Sequence, residues 1–138
     1  MKAEIIIVDD DEIMLRLHEK VVEMNVNSPV RLFNNGKDAL RHVSNKTKKY
    51  LLFLDLNMPG MDGWEFLEKA EALNLTKNLL VVIVSSSIDM SDKMTAKKYA
   101  CVVDYIEKPL NRSKLDHLFK NSKTQDVLQE LNVRRTNS

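Results

Sequence analysis

Cysteine occurs once in these 138 residues, at Cys101, which excludes an internal disulfide framework and fits a reducing compartment. Charge imbalance is missing too. The 21 basic and 20 acidic residues leave a net charge of +1, so there is no electrostatic case for nucleic acid or an acidic membrane surface. No long apolar run opens the chain: Ile5 to Val8 stops at three consecutive acids, far short of a signal core or a membrane span. A cytoplasmic protein is therefore expected. The three histidines, His18, His42 and His117, lack metal-site spacing and cysteine partners, and are expected on solvated surface. Repeats and low-complexity tracts are also lacking in these residues, and at this length one domain with a proper core is expected, with no second domain.

What is present is an alternation of apolar runs and amphipathic stretches. Ile5-Ile6-Ile7-Val8 is short, β-branched and uninterrupted, as in a strand buried on both faces. Ile13, Leu17, Val21 and Met24 then recur at helical spacing. Val30 to Phe33 reads as a weaker strand, Asn34-Asn35-Gly36 as a turn, and Ala39, Leu40 and Val43 as a short helix. Leu51 to Leu54 is a third strand. Asp62 and Glu65 have capping-box spacing, so a helix is predicted to start near Gly63. Leu79 to Val84 and Val102 to Ile106 complete the strands; Ser91 is positioned to cap a helix through Tyr99, and Leu115, Leu118 and Phe119 mark another. Val127, Leu128 and Leu131 suit one further helical turn, and Arg134 to Ser138 reads as frayed. Strands alternating with helices predict an α/β fold, a doubly wound five-stranded parallel sheet with helices on both faces.

In such a sheet, ligands bind beyond the carboxyl ends of the strands. The first strand ends at Asp9-Asp10-Asp11, the third at Asp55, the fourth at Ser85, and the fifth is followed by Lys108. Crowded carboxylates repel and raise one another's pKa, and a divalent cation resolves the conflict. With only oxygen ligands on offer, magnesium is favoured over zinc, and magnesium shares its shell with phosphate. Lysine adds a point charge suited to phosphate, and serine a hydroxyl. The set reads as a phosphoryl-accepting carboxylate. Taken singly, each piece is a loop, cap or surface residue; their joint occurrence at strand ends carries the reading.

The segments IIIVDDDE, LLFLDLNMPGMDG, VVIVSSS and YIEKPL, in that order and spacing, resemble the receiver domain of two-component response regulators. The resemblance covers about residues 2–121 and implies a stand-alone receiver domain over 1–121, with 122–138 as a partly helical or disordered extension. It also implies a flavodoxin-like fold with strand order 2-1-3-4-5. By position, Asp55 is the phosphoacceptor, Asp10 a direct Mg2+ ligand and Asp9 a ligand acting mainly through water. The pair is placed at Asp9 and Asp10 because they follow the strand directly, with Asp11 as the third acid. Asn57 would lend the metal its backbone carbonyl, Ser85 is the switching hydroxyl with Ser86 as its competitor, Lys108 pairs with the phosphoryl group, and Tyr105 is the aromatic switch. The Lys108–Pro109 bond is expected to be cis. The partners implied are a sensor histidine kinase or histidine phosphotransfer protein and a downstream protein target, with no nucleic acid, no membrane, and a monomer or weak dimer. The resemblance implies no enzyme in the ordinary sense, only a protein that catalyses its own phosphorylation and dephosphorylation.

An alternative is a phosphatase resembling the haloacid dehalogenase class, with Asp9 and Asp11 as nucleophile and acid-base pair. Against it, Ile13 stands where that motif wants threonine or valine, and Asp55 is left idle. A flavodoxin-like flavin protein would need a non-acidic phosphate loop after the first strand.

Overall fold

The apolar runs form five strands: β1 (Ala3–Val8), β2 (Val30–Phe33), β3 (Lys49–Leu54), β4 (Leu79–Ser85) and β5 (Val102–Glu107). In this computed structural model, which describes residues 2–45 and 48–131, they lie in the order β2-β1-β3-β4-β5. Every neighbouring pair is parallel. Both the parallel sheet and its order agree with expectation. The tail expected to fray, Arg134 to Ser138, lies outside the described residues.

Side chains along each strand alternate between two layers. Ile6, Val8, Leu52, Leu54 and Ile83 pack with Ala39 and Val43 of α2 (Gly36–Val43) and with Phe66, Leu67 and Ala70 of α3 (Gly63–Ala72). Ile5, Ile7, Leu51, Phe53, Val82 and Val84 face the opposite layer. There they meet Leu15 and Val22 of α1 (Glu12–Asn25), Leu115 and Leu118 of α5 (Arg112–Phe119), and Val127 of α6 (Gln125–Glu130). Covering both faces is what turns these strands into continuous apolar runs instead of alternating ones. Each fully buried Leu or Ile contributes roughly 1.5–3 kcal/mol.

Three expectations need correction. Of the α1 residues at helical spacing, Ile13, Leu17 and Met24 are exposed, Ile13 by 78% and Met24 by 72%, and Val21 alone packs, partly buried, against the core. The buried stripe is Leu15, His18, Val22 and Asn25. The Asp11 carboxylate caps the start of α1 by accepting hydrogen bonds from Ile13 N and Met14 N, and the face that packs on the sheet is the one through Leu15. In the same stripe His18 is buried, not solvated. Finally, α4 (Met90–Ala96) starts before Ser91, with Asp89 as its N-cap residue, and stops short of Tyr99. Asp89 O accepts from Asp92 N and Lys93 N, so the first turn closes without Ser91.

At the amino-terminal pole of the sheet, buried Glu4 pairs with the His42 imidazole and with Lys48 Nζ at 3.0 Å. Burial alone would raise the Glu4 pKa, but the hydrogen bonds and charges of His42 and Lys48 outweigh it and hold the carboxyl below its ordinary value. α6 closes this pole: Val127 and Leu131 are buried, and Glu130 reaches Lys49 at 3.8 Å. No helix among the described residues is long and apolar enough to cross a membrane.

Candidate functional site

Register brings the polar residues together. Val8 pairs with Leu54 across β1 and β3, so the residues that follow, Asp9 and Asp55, leave the sheet side by side. Their backbones stay tied to it, Asp9 N donating to Phe33 O and Asp55 N to Val8 O. On the other flank Ser85 pairs with Glu107, and Lys108 N donates to Ser85 O at 2.9 Å. Asp9, Asp55, Ser85 and Lys108 thus emerge on one rim, at the carboxyl ends of their strands.

Lys108 Nζ lies 2.8 Å from Asp9 Oδ2 and 3.3 Å from Asp55 Oδ1, bridging two carboxylates that are almost wholly buried. Asp10 is exposed beside them, and one oxygen from each of Asp9, Asp10 and Asp55 falls within 4.8 Å of the others. A hard divalent cation suits this all-oxygen donor set, whereas thiophilic metals have nothing to bind. Burial, and then the charge of Asp9, push the Asp55 carboxyl up to about 6 against the opposing pull of Lys108. Burial works against the Lys108 ammonium, but its bond to Asp9 and the charge of Asp55 prevail and raise its pKa. One lysine leaves the two buried carboxylates short of positive charge. That deficit is an electrostatic demand for a further cation.

The loop after Asp55 is built to clear the site. Gly60 has φ of +80°, a conformation that favours glycine, and the chain bends there after Pro59. The Asp62 carboxylate then accepts from Glu65 N and starts α3, as its spacing predicts. Gly63 is required for contact: a Cβ on it would stand 2.7 Å from Asp55 O and 2.9 Å from Leu56 Cα. Its N–H donates to Leu56 O, so α3 braces the strand end that carries Asp55. Asn57 sits on this loop, its N–H 3.4 Å from Asp55 Oδ1.

Ser85 is fully buried, and its Oγ accepts from Ser87 N at 3.1 Å. Tyr105, half-buried on β5, donates its hydroxyl to Ser87 O at 2.9 Å. The Ser87 hydroxyl donates to Asp92 Oδ2 in α4. Ser86, the competitor of Ser85, is exposed. Sequence reading missed Ser87, which couples Ser85, Tyr105 and α4; the run of three serines marked the loop but not which serine did what. The Lys108–Pro109 bond is cis.

The response regulator receiver domain profile matches residues 5–120. The two-component response regulator ARR22 of Arabidopsis thaliana is 29% identical over 120 residues, covering 83% of this chain and 82% of that protein. The probable transcriptional regulator ycf29 of Porphyra purpurea is 27% identical over 139 residues; the match takes in all of this chain but only 65% of the algal protein's length. A two-component response regulator from Cytophaga hutchinsonii, known by crystal structure, superposes with a TM-score of 0.78 at 25% identity, covering 94% of this chain and 100% of that one. With that fold and this rim, the chain belongs to the response regulator receiver domain family. Its function is phosphoacceptor signalling in a two-component system. The phosphatase alternative has no support: the Asp11 carboxylate, its would-be acid-base group, is engaged in capping α1.

Proposed function

We propose that Asp55 is the phosphoacceptor, that Asp9, Asp10 and Asp55 hold a magnesium ion with the Asn57 carbonyl, and that a histidine kinase or phosphotransfer protein is the donor. The observation that carries this reading is the Lys108 ammonium shared between Asp9 and Asp55 beside an exposed third carboxylate. An Asp55 oxygen attacks the phosphorus, forming a new P–O bond. The bond to the donor's imidazole nitrogen breaks, and its electron pair leaves with that nitrogen. Bound magnesium would neutralise charge on the transferring group. Lys108 follows the new negative charge from Asp9 and Asp55 onto the phosphoryl oxygens. Orientation and charge neutralisation are the chain's whole contribution, so it catalyses its own modification without turning over a separate substrate.

Ser85 then turns its hydroxyl toward the modified group. Its Oγ now accepts from Ser87 N, and Tyr105 holds Ser87 O. Moving Ser85 frees that peptide, and Tyr105 changes rotamer. The surface re-presented to a downstream protein is formed by α4, β5 and α5, where a groove of about 650 Å³ is lined by Met90, Lys93, Lys97 and Tyr105 among others. This is a local charge event biasing a two-state element. The protein acts in the cytoplasm, as a monomer or weak dimer, through protein contacts or onward phosphotransfer.

Incubation with magnesium and acetyl phosphate tests the reading. An acid-stable, alkali-labile adduct of one phosphoryl group maps to Asp55 by mass spectrometry and is lost in Asp55→Asn. Modification elsewhere, or steady turnover dependent on Asp9, would overturn it.

A further inference from the structure

The β5–α5 connection carries Lys108, and three elements grip its backbone. β4 does so through Ser85 O, which accepts from Lys108 N at 2.9 Å. α5 sends Lys114 Nζ to Glu107 O at 2.7 Å and to Pro109 O at 3.0 Å. The third grip comes from α1, where the buried His18 accepts at Nε2 from Leu110 N at 3.1 Å. Leu110 is itself buried, 1% exposed, and follows Pro109 outside any strand or helix. Its N–H therefore has no ladder to join. Left without an acceptor, a buried N–H of this kind would carry its full desolvation penalty.

An apolar side chain at position 18 would continue the Leu15 and Val22 stripe but could accept nothing. Imidazole fills the same space and offers a lone pair. For Nε2 to accept, the ring must be neutral with its proton on Nδ1. Burial favours that state and lowers the His18 pKa; Lys108 and Lys114 push the same way against Asp9 and Asp11.

We infer that His18 is a positioning residue for phosphoryl transfer: by accepting from the Leu110 peptide, it sets the reach of Lys108 Nζ toward Asp9 and Asp55. The inference rests on Lys108 pairing with the phosphoryl group as proposed above. His18 touches neither the acceptor nor the donor and acts only through the loop. The Lys108 head group must meet two carboxylates at once, and displacement on the scale of 1 Å can cost as much as 100-fold in rate.

A double-mutant cycle on the full chain tests this, read as the rate of Asp55 phosphorylation by acetyl phosphate at saturating magnesium. His18→Phe keeps the bulk and removes the acceptor, and is expected to slow phosphorylation about tenfold while leaving magnesium affinity within about twofold by calorimetry. His18→Gln, whose amide oxygen reaches the Nε2 position, restores most of the rate; His18→Asn, one methylene shorter, does not. In the Lys108→Ala background His18→Phe adds nothing, because residues acting as one unit are not additive. A full-rate His18→Phe with Lys108→Ala impaired overturns the inference and spares the site reading, as do effects of the two substitutions that simply multiply. A Lys108→Ala protein with the full rate overturns the site reading instead. Should His18→Phe not fold, the Gln and Asn variants decide: equal rates would overturn the inference.

Discussion

Asp55 sits where its charge is least welcome, and this is measurable without any phosphoryl donor. Its folded-state pKa is raised to about 6 from 3.8, by burial first and Asp9 second. The folded chain therefore holds this proton at pH values where the unfolded chain has lost it, so stability falls as pH rises through that window. Asp55→Asn removes the charge while keeping the shape. In metal-free buffer at pH 8 the variant is expected to be more stable than the parent by about 1–3 kcal/mol, since each unit of pKa shift corresponds to ~1.4 kcal/mol. Near pH 4 the advantage disappears because the parent is then protonated itself. Magnesium is expected to reverse the order, because the proposed site stabilises only the parent to full extent. Urea midpoints at pH 4 and 8, with and without magnesium, check all three arms; a variant less stable than the parent at pH 8 without metal would contradict the electrostatics. The residues of this rim were legible in the sequence because chemistry concentrates at strand ends. His18 was not, since a lone histidine among charged neighbours looks solvated until the helix phase is known.

Helix phase is the property of an element that periodicity alone left undetermined. In α1 two stripes repeat at helical spacing, and the greasier one, Ile13, Leu17 and Met24, faces solvent. The buried one contains His18 and Asn25, two polar residues whose needs are met internally, Asn25 Nδ2 donating to Val21 O and His18 Nε2 accepting from Leu110 N. A hydrophobicity count cannot see that satisfaction and so picks the wrong face. Strands escaped this error, because β1, β3 and β4 are buried on both faces and their apolar runs admit one reading. In α3 the spacing of Asp62 and Glu65 announced the cap, whereas the close backbone approach that requires Gly63 emerges only from the structure. For α1 the two stripes should separate cleanly in a denaturation series. Met24→Gln is expected to fall within about 0.5 kcal/mol of the parent, whereas Val22→Ala, which empties space in the buried cluster that includes Ile5 and Ile7, should cost about 1–2.5 kcal/mol. Comparable losses from both would mean that α1 packs on its other face.

Across the whole molecule the two poles of the sheet divide their tasks. Chemistry occupies the carboxyl ends, and the amino ends are sealed by Glu4 with its cations and by α6. The profile match ends at residue 120, yet Val127 and Leu131 lie in the same buried cluster as Leu115 and Leu118. Thr124 Oγ1 donates to Leu118 O at 3.2 Å and Asn121 O at 2.8 Å, closing the end of α5. From the sequence this segment was legible only as a possible helical turn, because its apolar residues become informative once the β3 base they cover is known. Removing residues 122–138 should therefore weaken the fold and spare the site. Losing two buried aliphatic side chains at roughly 1.5–3 kcal/mol each, less what relaxation recovers, gives an expected loss of about 3–5 kcal/mol. The Lys49–Glu130 pair, about one-third exposed at Lys49 and 3.8 Å long, adds little. Urea denaturation of the chain ending at Asn121, beside Val127→Ala and Leu131→Ala in the full chain, measures the cost, and magnesium titration of the folded fraction should give an affinity within about twofold of the parent. A shortened chain as stable as the full one would show that α6 merely rests on the domain; a folded one that no longer bound magnesium would show that the poles are coupled through the strands, each only 6 residues long in β1 and β3.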